Sequence, residues 1–161
     1  MAENGKSVLR ELTPEAIAEA KGLVREADHA ALAVLDPGTG HPLVSRVGLA
    51  TLEDGAPLIV VSHLAAHSAA LDADPRCSLL VGSIGKGDPL AHPRITLICR
   101  AALLEPERRA EARERYLAIH PKAAIYIDLP DFRFFRLDIE RASFNGGFGR
   151  AYAIEGGLLI A

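Results

Sequence analysis

Short apolar runs separated by turns predict a chain built mainly of strands. One strand is predicted from Ala30 to Asp36, where the turn PGTG ends it. Residues 43–52 then lead through a polar turn into an apolar run at 58–62, a pattern that predicts a hairpin. Three more strands are predicted at residues 77–83, 94–104 and 132–144. Alternation in the second of these places Arg94, Thr96 and Arg100 on one face and Ile95, Leu97, Cys99 and Ala101 on the other.

Helical signals fall between these strands. Thr13 can cap a helix that continues to about Ala27, because Pro14 suits the first helical position and Glu15 suits the positive end of the helix dipole. A short helix is predicted at residues 68–73 and ends before Pro75, which lacks a backbone donor. The strongest helical pattern covers residues 105–119, with one or two further turns at 121–127.

The order of these elements indicates the fold class. Strands joined mostly by hairpins, with a few helices between them, are typical of a largely antiparallel barrel and not of a doubly wound α/β sheet. A chain of 161 residues, 49% of them hydrophobic, is long enough for one packed core and short for two. We therefore expect a single, mainly β domain with helical additions over residues 1–161, with residues 1–12 as a flexible N-terminal arm.

Composition and charge limit which partners the protein can bind and in which cell compartment we expect it. The formal net charge of -3, with both signs mixed along the chain, gives no field that would attract nucleic acid or a membrane surface. The first residues contain no apolar signal region, and no apolar stretch approaches the roughly 20 residues of a membrane span, so we expect a cytoplasmic protein. Cys77 and Cys99 lie in apolar strand segments without a CxxC pair, which favours buried reduced thiols over a disulfide framework.

Arg46 is the first candidate for a binding residue. Alternation in residues 42–52 places it on one side of the strand with Val44, Gly48, Ala50 and Leu52, which are small or apolar. A guanidinium on such a face needs an anionic partner, because burying an unpaired charge is costly. That partner is either a ligand or one of the chain's 21 acidic residues in a salt bridge.

The stretch SHLAAHS at residues 62–68 is the second candidate. If the strand ends near Ser62 and a helix begins at Ser68, the Ser68 hydroxyl and the first free N–H groups of the helix converge on a spot suited to phosphate. The alternatives are an ordinary N-cap for Ser68 and a surface or capping role for His67. His63 and His67 are four residues apart, but a strand-to-loop break separates them and no third ligand is near, so we predict no metal site.

The series Gly146-Gly147-Phe148-Gly149 does not predict dinucleotide binding. It follows the last predicted strand, lacks the GxGxxG spacing and precedes no long helix. A flexible turn is the alternative that the pattern favours.

Three segments together resemble a known family. They are PLVSRVGLATLEDGAPLIVVSHLAAHSAALDADPRCSLLVG, DPLAHPRITLICRAALLE and FRFFRLDIERASFNGGFGRAYAI, and the resemblance extends from about residue 19 to residue 154. The chain resembles the FMN-binding split barrels related to pyridoxamine 5'-phosphate oxidase, especially the branch of HugZ-type haem-utilisation proteins.

This resemblance implies a homodimer of six-stranded antiparallel split barrels that binds FMN, or alternatively haem, in a cleft between subunits. Arg46 would contact the flavin phosphate, and the backbone of Val47 and Gly48 would lie along the flavin ring. The implied phosphate site is completed by Ser62, His63, Leu64, His67 and Ser68. Arg94 and Thr96 would border the cleft, and Gly147, Phe148 and Gly149 would reach the flavin of the other subunit.

The sequence also departs from the family pattern. Ala70 stands where relatives usually have Asn, and the C-terminal Arg and His that the oxidases use on their substrate have no match in GGFGRAYAIEGGLLIA. No counterpart of the C-terminal domain of longer haem-utilisation relatives is expected, because the sequence stops at Ala161. We expect an FMN-dependent oxidoreductase of unknown substrate and catalytic residues. The alternatives are a non-catalytic flavin or haem binding module and a dimeric scaffold without a cofactor.

Overall fold

One antiparallel sheet, which curls into a split barrel, dominates the structure. The computed structural model describes residues 8–161, and this part contains eight strands in that sheet. The strands are β1 His29–Leu35, β2 Pro42–Gly48, β3 Ala50–Thr51, β4 Pro57–Ser62, β5 Arg76–Val81, β6 Arg94–Leu103, β7 Phe132–Asn145 and β8 Ala151–Glu155. Their order is β2-β1-β5-β6-β7-β4-β3, and β8 also pairs with β7. The mainly β, antiparallel class that the sequence predicts is confirmed.

The strand count differs from the expected six for two reasons. The predicted strand at 43–52 is broken at Leu49, whose N–H donates to the carbonyl of Asp28, so β2 pairs with β1 while β3 pairs with β4. The predicted hairpin therefore joins β3 to β4, and β2 lies at the opposite end of the strand order. The second reason is β8, which follows the glycine-rich turn that we expected to come after the last strand.

The break at Leu49 also changes which residues share a face. Val44 is 62% exposed and Arg46 is exposed, whereas Ala50 and Leu52 are buried. The prediction that Arg46 lies on one small, apolar face with Ala50 and Leu52 is wrong, because the chain changes its pairing partner between them.

Three α-helices pack around the sheet in the described residues: α1 Pro14–Glu26, α2 Ala66–Ala73 and α3 Arg109–Ile119. The predicted cap of α1 is confirmed, since Thr13 Oγ1 accepts a hydrogen bond of 3.1 Å from the N–H of Ala16. Short 3-10 turns at Pro106–Arg108 and Pro121–Ile125 precede and follow α3. The prediction that α2 begins at Ser68 is wrong by two residues.

Two apolar clusters fill the interior. The larger lies between the sheet and α1 and contains Leu32, Leu79 and Leu97, none of which is exposed. The smaller lies under α3 and contains Leu58, Ile127 and Tyr116. The alternation predicted for β6 is confirmed, because Ile95, Leu97 and Cys99 are buried while Arg94 and Thr96 lie on the outer side.

The cysteines are buried and reduced, as predicted. Cys77 on β5 lies directly opposite Cys99 on β6, and both thiols are free. Burial raises the pKa of the Cys77 thiol to about 12 and also raises that of Cys99. Thiols held in their protonated form are poor nucleophiles, so neither cysteine is a candidate for covalent chemistry.

The described part of the predicted N-terminal arm lies against the barrel. Leu9 forms a parallel bridge with Ala151, and the Arg10 N–H donates to the carbonyl of Ala151 at 2.8 Å. The prediction for residues 1–7 lies outside the described residues. Among residues 8–161, no helix combines the length and the apolar character needed to cross a membrane.

Candidate functional site

A shallow groove of about 370 Å³ crosses the outer face of β2, β1 and β5. We call it the outer groove, and it is lined by His29, Ala30, Ala31, Val44, Ser45, Arg46, Leu80, Gly82 and Ile84. The small side chain of Ala31 forms its floor. Val44 and Ile84, which are 62% and 69% exposed, lie on opposite sides. A groove arises here because β1 presents alanine between longer side chains of its two neighbours.

Strand register explains how these residues meet. Ala31 is paired with Arg46 on β2 and with Leu80 on β5, and Leu80 is paired in turn with Thr96 on β6. Directly paired residues point to the same face of a sheet. Arg46, Ala31, Leu80 and Thr96 therefore form one row across four strands.

Arg46 is exposed and unpaired. No salt bridge or hydrogen bond of its side chain is found within residues 8–161, so the alternative of a salt bridge to an acidic residue is not observed there. The expectation of a buried guanidinium is wrong, because the outer face of β2 is open in the single chain. An exposed cation beside apolar side chains can bind an anionic group of a ligand.

His67 joins the first turn of α2 to β2. Its Nδ1 lies 3.2 Å from the Oγ of Ser45, the residue before Arg46. Burial of the ring lowers the pKa of His67. The N–H groups of Ala66 and His67, in the first turn of α2, have no hydrogen-bond acceptor among the described residues. Ser45 pairs with the buried Leu32, so its side chain and the His67 ring lie on the inner side of β2, opposite the Arg46 side chain. The convergence of Arg46 and the first turn of α2 on one phosphate stays a prediction.

Ser68 is turned inward instead of towards a ligand. It is the third residue of α2 and fully buried, and its Oγ accepts a hydrogen bond of 2.5 Å from Nη2 of Arg133 on β7. Arg133 also forms a salt bridge of 2.9 Å with Asp72 on α2, so it links α2 to β7 of the sheet. Ser68 is therefore not the N-cap, a position held by Ala65. Ala70 is buried too, so the position where relatives usually have Asn faces the core here.

The remaining residues of the turn before α2 make local contacts. The Ser62 hydroxyl donates to Asp131 at 2.8 Å, and its oxygen accepts from the N–H of Leu64 at 3.2 Å. The His63 N–H donates to the carbonyl of Asp131, while its side chain is exposed. Leu64 is 78% exposed. The structure gives Ser62 a structural role, and the binding roles predicted for His63 and Leu64 stay predictions.

Val47 and Gly48 complete β2 beside Arg46. The Val47 side chain points into the core, which leaves only its backbone for a ligand. Gly48 lies against α3, because a Cβ at this position would overlap the Tyr116 hydroxyl. Close packing against Tyr116 therefore requires glycine here.

Arg94 and Thr96 lie further along the outer face on β6. Nη1 of Arg94 donates to the carbonyls of Leu90 and His92 at 2.9 and 3.3 Å, so this guanidinium is engaged by the preceding loop. Thr96 shares the row of Arg46 but is separated from it by two strands. Neither residue lines the outer groove within the single chain.

The loop of Gly147, Phe148 and Gly149 lies outside the groove of this chain. It joins β7 to β8, and both glycines adopt positive φ angles of 126° and 67°. Phe148 between them is 68% exposed. The predicted contact with the cofactor of a second subunit stays a prediction.

Sequence reasoning missed several groove residues. His29, Ala31, Val44, Leu80 and Ile84 were not selected, although they line the groove. A signal was present in HAALAVL, where Ala31 and Ala33 alternate with the larger Leu32 and Val34. Finding the groove also required the pairing of β1 with both β2 and β5, which the sequence does not show.

Comparison with a protein-family model settles the family. The model for pyridoxamine 5'-phosphate oxidase matches residues 16–146, which include the outer groove and the turn into α2. The chain belongs to this family. The resemblance stated from the sequence is therefore confirmed, and the split barrel has its expected architecture.

Two relatives of this split-barrel protein are haem oxygenases by name. It is 38% identical over 119 residues to the non-canonical haem oxygenase HOZ of Arabidopsis thaliana chloroplasts, a match to 73% of this chain and 36% of HOZ. It is 28% identical over 137 residues to haem oxygenase HutZ of Vibrio cholerae, over 80% of this chain and 75% of HutZ. These matches confirm its place in the haem-utilisation branch. The chain spans about a third of the length of HOZ.

A solved structure supports the same grouping. A haem binding protein from Mycobacterium smegmatis superimposes with a TM-score of 0.84 at 33% identity. The match covers 92% of this chain and 61% of that protein. The described fold is therefore close to that of a larger haem binding protein.

Proposed function

We propose that this chain is a haem-binding protein and that the outer groove holds the haem. The observation that carries the proposal is the unpaired guanidinium of Arg46 beside the exposed apolar side chains of Val44, Leu80 and Ile84. Haem combines a flat apolar ring with two carboxylates on one edge, and a protein binds such a molecule with apolar walls and a few placed polar groups. The haem-related names of the relatives, which are 28% to 38% identical, support the same ligand.

The groove residues fit this ligand in three ways. Arg46 can donate two hydrogen bonds to one carboxylate. Ala31 leaves room for a flat ring to approach the sheet, and Val44 with Leu80 offers apolar contact. Bound haem would supply an iron whose reactivity depends on its axial ligand and on the polarity around it. The residues of this chain would bind the ring, orient it through Arg46 and shield one side from water.

A second copy of the chain is the partner that we propose for this face. Val44, Leu80 and Ile84 are large apolar residues exposed together, and small residues such as Ala33 and Ser78 keep the neighbouring surface flat. A homodimer formed here would cover the groove and remove water from Arg46. It would also bring Thr96 and the loop of Phe148 from each copy near the dimer interface, which is where the resemblance to the family implies the cofactor.

FMN is the second candidate ligand, and one observation favours it. The free N–H groups of Ala66 and His67 mark the positive end of an eight-residue helix next to β2. A phosphate suits such a helix start. With FMN bound, the chain would have the flavin-dependent oxidoreductase role that the sequence first suggests, and the flavin would supply the electron transfer.

Absorption spectroscopy distinguishes the two ligands. The purified protein is titrated with haemin and, in a separate series, with FMN. We expect a saturable shift of the Soret band at a ratio of one haem per chain or one per dimer. A saturable, red-shifted flavin spectrum with no Soret change would instead support FMN. Binding of neither ligand would contradict both proposals and leave the scaffold alternative.

A further inference from the structure

His29 stands at one end of the outer groove. It is the first residue of β1, and its side chain is 52% exposed and lines the groove together with Arg46. Its direct partner on β2 is Gly48, so Arg46 occupies the diagonal position two residues earlier. Diagonal neighbours in a sheet lie about 7–8 Å apart, within reach of long side chains. One flat ligand can therefore touch His29 and Arg46 at once.

The neighbouring carboxylate holds the His29 ring by one nitrogen. Nδ1 of His29 lies 2.5 Å from Oδ1 of Asp28. Nε2 has no hydrogen-bond partner among residues 8–161. Histidines that bind metals commonly donate their second ring N–H to a carboxylate, which fixes the tautomer and makes the ligating nitrogen more basic.

The other five histidines do not combine a carboxylate partner, a free Nε2 and a place in the outer groove. His67 bonds Ser45, while the Nε2 atoms of His92 and His120 lie 3.0 and 2.9 Å from the carbonyls of Lys86 and Leu49. His41 and His63 are exposed, and neither has a carboxylate partner in the described residues. None of these five lines the outer groove. A carboxylate partner, a free Nε2 and a place in the groove occur together at His29.

The geometry points to His29 Nε2 as an axial ligand of haem iron, with Asp28 as the residue that positions its ring. This assignment rests on the proposed function, since it concerns the haem held in the outer groove. Arg46 would hold a carboxylate at one edge of the ring while His29 reaches the metal. The bond formed is a coordinate bond from a neutral imidazole, so no oxidant or reductant is needed.

Haemin titration of four proteins tests the assignment. They are the full chain, His29→Gly, Asp28→Asn and the exposed control His41→Gly. Bound haem is examined by absorption, by electron paramagnetic resonance of the ferric form and by resonance Raman spectroscopy of the ferrous form. We expect His29→Gly to lose the iron–histidine stretching band and to bind haemin roughly 10- to 100-fold more weakly. Added imidazole should restore the wild-type spectrum in this variant.

Asp28→Asn tests the positioning residue separately. It keeps the size of the side chain but removes the negative charge, so the imidazole becomes a weaker donor. We expect a lower iron–histidine stretching frequency and a higher haem reduction potential, with the ligand still histidine. His41→Gly should match the full chain in every spectrum.

The outcomes separate this inference from the proposed function. If the full chain binds haemin with a histidine signature that His29→Gly retains, the assignment to His29 is overturned while haem binding stands. If the full chain binds haemin without any histidine signature, the assignment is overturned as well. If the full chain does not bind haemin, the proposed function fails and the assignment fails with it.

Discussion

At the scale of single residues, Arg46 is central because it is a free cation on an apolar surface. Its environment predicts that Arg46→Ala weakens haem binding by roughly 10- to 100-fold, the usual effect of losing a charge-assisted hydrogen bond. The matched control is Arg141→Ala, since Arg141 is also exposed and lies on the same side of the sheet, but on β7 and away from the groove. Dissociation constants from haemin titration measure both effects. Equal affinities for the two variants would contradict the assigned role of Arg46.

His67 should make folding stability depend on pH. Burial lowers its pKa in the folded protein below the value of about 6.5 that an unfolded chain has. As the pH falls through 6.5, the unfolded chain therefore takes up the proton first, and the free energy of unfolding decreases. Below the folded pKa this group causes no further change.

Urea denaturation between pH 8 and pH 5 measures this effect. His67→Gln should flatten the part of the profile below pH 7, while the exposed His41→Gln should keep the slope of the unmodified chain. A His67→Gln profile that parallels the unmodified chain would show that burial of this ring does not control the pH dependence.

At the scale of elements, the end of β2 and the helix α3 are fitted to each other at Gly48. A methyl group on Gly48 would overlap the Tyr116 hydroxyl, whereas the next nearest atoms would lie at 3.4 Å. We expect Gly48→Ala to lower the free energy of unfolding by about 1–3 kcal/mol, as overpacking usually does.

A double-mutant cycle checks this contact. In the Tyr116→Phe background the overlapping oxygen is gone, so Gly48→Ala should cost much less there than in the unmodified chain. Chemical denaturation of the four proteins gives the coupling energy. Costs that simply add would mean that Gly48→Ala acts through the backbone and not through Tyr116.

The elements that the sequence predicts well are those with one consistent pattern. Thr13 with Pro14 predicts the start of α1, and the strict alternation from Ile95 to Ala101 predicts both the extent and the buried face of β6. The start of α2 was misplaced because it carries no side-chain cap, so Ser68 was the nearest polar candidate. The break at Leu49 was missed because the same alternation continues across it while the pairing partner changes.

At the scale of the whole molecule, the outer face is expected to join two copies of the chain. We predict a dimer of twice 17.1 kDa at micromolar concentration, because Val44, Leu80 and Ile84 would otherwise remain in water. Leu80→Asp places a charge in the middle of that face and should give a monomer, whereas the exposed Ile125→Asp should leave the dimer intact. Sedimentation velocity distinguishes the two states. A monomeric unmodified chain would contradict the proposed interface.

The candidate site could be predicted from the sequence only in part, because it is assembled from distant segments. Arg46 was selected through chemistry that is visible locally, namely a lone cation on an otherwise small or apolar strand. Leu80 and Ile84 come from β5 and the loop after it, and nothing in their local sequence links them to β2. The inward turn of Ser68 depends on Arg133, which is 65 residues away along the chain.

The affinity for haemin of a chain with a filled groove decides whether the outer groove is the haem site. Ala31→Phe places a ring on the floor of the outer groove, and Ala153→Phe makes the same change at an exposed position of β8, at the far end of the same row. We predict that Ala31→Phe weakens haemin binding at least tenfold while Ala153→Phe binds like the unmodified chain. Unchanged binding by a folded Ala31→Phe variant would contradict the claim that the outer groove holds the ligand.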